Sequence, residues 1–357
     1  MKLTVGYQPM ENDAFVREII RYRDKIGEVY FSWGKMPNGR HASDLSERLP
    51  AWQVREKMES ELAELSRAGI AFNLLLNGNC YGGESLSRAF FTEVCETVDE
   101  IGERFGISSV TTTSPELARL VKRNFENVEV RASVNMEIGT PEGVDYLADS
   151  FDGFYLAREL NRELDRLREL SGYVKSIGKK RYILANSGCL RHCSARNYHD
   201  NLVAHEREIM ARDNAVTFRG LCAEYFEAAG DPSLYLSRLS FIRPEDLSLY
   251  EGIADAVKLA TRVNAAPSRV LSAYAEGRFA GNLLDLLEPN HAGVLYPRVI
   301  ENRDLPLDFG TVTSSCAHRC AECGYCARAA ERAVRTLYTD VTAESSEMPL
   351  DGGESEN

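Results

Sequence analysis

Short apolar, β-branched runs alternate along the chain with longer stretches whose apolar residues recur every three or four positions. Leu3–Tyr7, Glu28–Trp33, Ala71–Asn77, Ser108–Thr113, Val128–Asn135, Gly153–Ala157 and Arg181–Asn186 read as strands, because short β-rich runs between turn residues suit a buried sheet. Ala14–Lys25, Ala51–Ala68, Ser87–Phe105, Pro115–Asn124, Pro141–Ser150 and Arg162–Ile177 carry the helical period between them. Ser114-Pro115 and Thr140-Pro141 read as helix caps with proline in the first helical position, where its missing N–H costs nothing. Such a series predicts parallel strands with covering helices.

Leu239–Ile242 and Ala256–Leu259 also qualify, which makes nine strand candidates. The expected fold class is α/β, a (β/α)8 TIM-like barrel with a C-terminal helical and cysteine-rich extension. One strand candidate then lies outside the barrel, or the closure is irregular. A doubly wound open sheet is the second choice, and no glycine-rich phosphate loop follows the first strand to favour it. Pro267–Leu287 reads as a helical appendix, Tyr296–Cys326 as loop, and Ala327–Tyr338 as a short helix. The expected division is a barrel with its adjoining helix over 1–287, a cysteine-rich metal-binding extension over 288–338, and a disordered acidic tail over 339–357.

Charge adds to this picture. The net charge is −12, and half of it lies in the last twenty residues, which contain no Lys or Arg. That tail is too polar to pack. The acidic body offers no broad nucleic-acid-binding face, which would need a basic surface. No run approaches the roughly 20 apolar residues of a membrane span, and Met1–Asp13 lacks the apolar centre of an export signal. A cytoplasmic protein without a membrane partner is expected.

The cysteines carry the chemistry. There are nine, and clusters of them in an unexported chain point to metal or redox work more than to disulfides. Cys316, Cys320, Cys323 and Cys326 form C-x3-C-x2-C-x2-C within eleven residues. Compact spacing suits a [4Fe–4S] cluster; a structural zinc, which more often uses two separated pairs, is the alternative. The first three also match radical-SAM spacing, but that motif follows the first barrel strand. A second group comprises Cys189, Cys193 and Cys222. Cys189 follows a strand, at the end where barrel enzymes place their sites. Cys80 also follows a strand and is the candidate fourth ligand, while Cys95 reads as core.

Other strand ends are polar too, with Arg131 and Asn135, Arg158, and Asn186. Arg131, Arg158 and Arg196 are candidates for holding a small anionic substrate, since guanidinium forks match carboxylates and phosphates. Asn135 and Asn186 are candidate cofactor contacts. His199, with His205 nearby, is a candidate acid–base group or support for a cluster. A Cys189–His199 nucleophile pair is the hydrolytic option. His318 reads as a loop residue, and His41 and His291 show no evident partner.

Two stretches resemble the peptidase U32 family. One runs from Leu184-Ala-Asn-Ser-Gly-Cys189 through Cys193, Arg196 and His199. The other is Ile242-Arg-Pro-Glu-Asp-Leu247 with Asp255-Ala-Val-Lys258-Leu-Ala-Thr-Arg262, which is similar to the family's Lys-Ile-Glu-Gly-Arg segment. The resemblance covers roughly residues 1–287. It implies a barrel and a [4Fe–4S] cluster held by four cysteines. It also implies oxygen-independent hydroxylation in ubiquinone biosynthesis, often by paired homologous subunits, or in tRNA and rRNA modification with prephenate. Some members carry a collagenase-like protease label. The chain departs at Ala260 and Thr261, in its cysteine spacing, and in the extra C-terminal cysteines. The expected function is therefore an iron–sulfur oxidoreductase with one or two clusters, or a subunit of one, paired with a homologue or with itself. The alternatives are a U32-type peptidase or a non-catalytic cluster scaffold.

Overall fold

Eight parallel strands close on themselves in the order β1 to β8. The computed structural model describes residues 1–36, 38–39, 48–213, 216 and 218–337. His41, Tyr338 and the acidic tail lie outside them. The strands are β1 (Lys2–Gly6), β2 (Ile26–Phe31), β3 (Ala71–Leu76), β4 (Ser109–Thr112), β5 (Glu129–Ala132), β6 (Gly153–Tyr155), β7 (Lys180–Leu184) and β8 (Ala256–Leu259). β1 pairs with both β2 and β8, with Val5 opposite Val29 and Leu259, and this closes the ring. A (β/α)8 barrel results.

The connections bear out the capping signals. Ser114 Oγ accepts from Leu117 N at 3.2 Å and Thr140 Oγ1 from Gly143 N at 3.2 Å, each ahead of a proline. These caps satisfy amides that no helical carbonyl reaches. The helix from Pro141 ends early, at Asp145. Arg162 belongs to a buried 3-10 turn, Arg158–Arg162, and the next helix spans Leu164–Ser176.

Leu239–Ile242 is not a barrel strand. Leu239 makes an isolated antiparallel bridge with Leu190, and Ile242 N donates to Ala185 O at 2.8 Å. Its side chains are buried by packing instead, since an apolar run of this length suits a core as well as a ladder. Pro267–Leu287 likewise breaks into a helix, Pro267–Glu276, and a 3-10 turn, Leu283–Leu286. The last helix among the described residues spans Tyr325–Ala333 and runs into β10 (Val334–Thr336), which pairs antiparallel with β9 (Arg298–Ile300).

Two large apolar clusters result. One fills the space between barrel and covering helices. The other joins Phe226, Tyr235, Leu239 and Phe241 to Leu283, Leu287, Phe309 and Ala330. The barrel interior itself is polar. Glu28 accepts from Asn73 at 3.0 Å and from Ser109 at 3.2 Å, and Thr111 donates to Asn73 at 3.0 Å. Arg131 closes this network with Glu28 and Glu129. Barrels usually fill this space with branched apolar side chains. Among the described residues, no helix is long and apolar enough to cross a membrane.

Candidate functional site

Three cations meet at the C-terminal mouth of the barrel. Lys258 from β8, Arg262 just beyond it and Arg158 from the turn after β6 line a small cavity of about 50 Å3 with Tyr30, Asn77 and Asn135. Lys258 Nζ lies 4.1 Å from the centre of the Tyr30 ring and 5.0 Å from that of Tyr155. Burial first, and then the Arg262 charge, pull its pKa from 10.5 down to about 7; Glu28 opposes the shift. Low polarity disfavours the ammonium form, and neighbouring cations add to that. In the sequence Lys258 and Arg262 stand out only through the family resemblance. The available signal was a lysine inside the apolar run Ala256-Val-Lys-Leu259.

Arg158 connects this mouth to sulfur. Its Nη2 donates to Asn135 Oδ1 at 3.2 Å, and its Nη1 donates to Cys189 Sγ at 3.3 Å. Cys189 follows Gly188, where a Cβ would stand 2.1 Å from Pro289 O, so only glycine fits that approach. The Cys222 thiol is pushed up by burial and next by Cys189, with Cys193 adding to it. The three thiols therefore share one neighbourhood. A larger cavity, about 400 Å3, opens beside Cys193, His192, Arg196 and Glu159. Another, about 330 Å3, lies against Cys222, His199, Phe218 and His291.

Several expected site residues have other duties. Arg131 does not line the mouth cavity: it is ion-paired with Glu28 and Glu129 inside the barrel and stacked 4.2 Å from the Tyr182 ring centre. Burial alone would raise the Glu129 carboxyl, but Arg131 and Lys180 hold it down to about 2. Arg196 spends its charge on Glu137, at 2.6 Å, and on Glu159. Asn186 is buried, with its amide bonded to Ala260 N, Ala260 O and Leu286 O. It fastens three backbone groups through these bonds. His199 packs against Phe218, ring centres 5.2 Å apart. His291 is buried, with Nε2 2.9 Å from Gly188 O. Cys95 sits half-buried in the helix Arg88–Phe105.

Cys80 pairs with a histidine. A hydrogen bond from His205 is the main cause lowering the Cys80 thiol, and the same bond raises His205. His205 Nδ1 lies 3.4 Å from Glu208 Oε2. A thiol, an imidazole and a carboxylate thus stand in series.

The C-terminal cysteines form their own group. Cys320–Cys323 is one helical turn, and Cys326 opens the last helix. Burial first pushes the Cys326 thiol up to about 11; Arg162 opposes, and the Cys320, Cys316 and Cys323 thiols add to the rise. His318 is more than a loop residue. Cys316 Sγ and Arg191 Nη1 lie 3.1 and 2.6 Å from its Nδ1, so it joins this loop to the one that carries Cys189 and Cys193. Among the described residues, no three His, Cys, Asp or Glu side chains converge closely enough to hold a single metal ion.

Arg162 stands behind these thiols, 4% exposed. Its Nε and Nη2 are buried without a hydrogen-bond partner. Its guanidinium carbon lies 4.6 Å from the Phe241 ring centre and 5.3 Å from that of Phe309. Such stacking is worth roughly 2 kcal/mol when desolvated, less than the several kcal/mol of desolvating an ion.

No family model matches the chain. It is 26% identical over 292 residues to the uncharacterized protease MJ1657 of Methanocaldococcus jannaschii, a match that covers 79% of this chain and 83% of that protein. In structure it resembles the U32 peptidase Mk0906, with a TM-score of 0.50 and 13% identity over 72% of this chain and 91% of that one. In sequence the chain is thus similar to an archaeal protein named a protease, and in fold to a U32 peptidase, the family its Asn186-to-His199 and Lys258-to-Arg262 stretches resemble.

Proposed function

We propose that the chain is an iron–sulfur enzyme of the U32 kind that works on a small anionic substrate at the barrel mouth. The contact of Arg158 with Cys189 supports this reading, because a guanidinium of the kind suited to anions stands one hydrogen bond from a thiol. Cys189, Cys193 and Cys222 would hold a [4Fe–4S] cluster there. Such a cluster supplies one-electron chemistry when bound. The chain's own residues do the rest. Arg158 and Arg262 would grip a carboxylate or phosphate through their forked donors. Lys258, with a pKa of about 7, can give or take a proton at Nζ near neutral pH. The buried walls strengthen each of these interactions by excluding water.

The test is anaerobic purification with iron, sulfide and the visible spectrum measured per chain. About four irons and equal sulfide per cluster are expected, with one cluster's worth lost in Cys189→Ala. No iron after anaerobic reconstitution would overturn the reading.

The names of both relatives favour a second reading, a peptidase, and the Cys80–His205–Glu208 series gives it a physical basis. A thiol lowered by an adjacent imidazole is an activated nucleophile, and the carboxylate would orient that base. This reading requires hydrolysis of an unfolded protein substrate that disappears in Cys80→Ala and persists in iron-free protein.

A further inference from the structure

Lys258 is a buried amine without a partner. It is 6% exposed, and among the described residues neither a hydrogen bond nor a carboxylate ion pair reaches its Nζ. Strand alternation puts it there. Val257 and Leu259 pack outward with the covering helices, while Ala256 and Ala260 face the inner group of Tyr155, Tyr182 and Leu184. Lys258 therefore points into the barrel, its Nζ 4.1 Å from the Tyr30 ring centre and 5.0 Å from that of Tyr155. The charged groups around it are Arg262, Glu28, Arg158 and Arg131, and Glu28 is already paired with Arg131. Arg158 and Arg262 share its cavity, whose volume of about 50 Å3 holds only a few heavy atoms. Val263 and Glu288 line both this cavity and the neighbouring one of about 330 Å3, so the rest of a longer molecule has room beyond the mouth.

A lysine desolvated among other cations is held neutral, and a neutral amine is a nucleophile towards carbonyl carbon. We propose that Lys258 forms an imine with the carbonyl of a small 2-oxo acid whose carboxylate is held by Arg158 and Arg262. The neutral Nζ adds to the carbonyl carbon, and the carbonyl oxygen takes a proton to give a carbinolamine. Water then leaves and a C=N bond remains. The departing water carries the carbonyl oxygen and the two amine hydrogens, and the step needs neither oxidant nor reductant. The two guanidinium groups select an acid over a plain ketone, because their forked donors match a carboxylate. Arg158 still has its Nε buried without a partner. The lowering of Lys258 to about 7 raises its neutral fraction at pH 7 on the order of 1,000-fold over an ordinary lysine. This inference deepens the reading of the mouth as the substrate site, with the same Nζ acting as nucleophile, and it does not depend on a cluster.

The test is reductive trapping on the full chain. Protein purified anaerobically is incubated at pH 7 with pyruvate and sodium cyanoborohydride, which reduces C=N to a stable secondary amine, and the adducts are mapped by mass spectrometry. Lys258 should be modified at least ~10-fold faster than the exposed Lys180, because only the neutral amine adds. Lys258→Met should lose that adduct and keep the slow ones on the surface. Acetone, which has the carbonyl but no carboxylate, should trap far less than pyruvate. Arg262→Gln should lower the ratio of pyruvate to acetone adduct on Lys258 at least ~10-fold, since a hydrogen bond to a charged group is lost. Taking the ratio cancels any change in the reactivity of the amine itself. Iron counted in the same preparation separates the two readings. A chain that traps pyruvate on Lys258 without holding iron keeps the imine and overturns the cluster, and an iron-loaded chain without the adduct does the reverse. The proposal falls if Lys258 is modified no faster than Lys180, or if acetone traps as well as pyruvate. It also falls if Arg262→Gln leaves the ratio unchanged.

Discussion

Lys258 shows how a residue acquires its chemistry from distant neighbours. Its ammonium sits between two tyrosine rings with two arginines close by, and its pKa falls from 10.5 to about 7. The unfolded chain therefore takes up a proton as pH drops through 10.5, and the folded chain does so only near 7. Between those values folding loses stability on acidification, by an amount on the order of a few kcal/mol. Lys258→Met should therefore raise the melting temperature at pH 7, and the gain should shrink towards pH 10; melting curves across that range check it. The sequence marked Lys258 only as a charge inside a short apolar run. Arg262 lies four residues on, but Arg158 and Tyr30 come from other segments, so spacing could not assemble the whole group. Arg162 was hidden in the same way: its missing counter-ion is a property of the folded core. The C-terminal cysteines stand out in the sequence because four of them fall within eleven residues, but among the described residues no three potential ligands converge on one metal ion. The ion pairs of Arg131 with Glu28 and Glu129 were not legible, because an arginine in a strand looks alike whether it meets a substrate or a buried glutamate.

At the level of elements, local rules worked where one segment settles its own structure. The cap before Pro115 is such a case: Ser114 Oγ satisfies Leu117 N. Ser114→Ala should cost about 1 kcal/mol, read as a lowered denaturation midpoint with an unchanged slope. Strand alternation was equally legible, because apolar runs and helical periods alternate within short windows. Leu239–Ile242 was not, because its burial comes from residues far along the chain. Leu239 and Phe241 pack with Leu283, Leu295 and Phe309, and a run of four residues carries no trace of that choice. The polar stripe inside the barrel was also obscure. Glu28, Asn73, Ser109 and Thr111 come from three strands, β2, β3 and β4, and only their pairing side by side makes them one network.

On the scale of the whole molecule, the barrel core and the second core are separate clusters, and Phe309 ties the second one together. It stacks on Phe241 with ring centres 6.2 Å apart and covers both Arg162 and Arg243. Phe309→Ala should cost roughly 3–5 kcal/mol and unsettle the cysteine loop before the barrel. Denaturation followed by circular dichroism, with alkylation of Cys326 as a second probe, should show the thiol exposed ahead of helix loss. The second core also has an order of assembly built into it. Phe226, Tyr235 and Leu236 are synthesised soon after β7, yet the helix Tyr325–Ala333 that completes their packing comes near the end of the chain. A ribosome therefore releases a nearly finished barrel with a greasy flank still uncovered. Through that interval the growing chain carries the apolar residues of its second core without the helix that covers them.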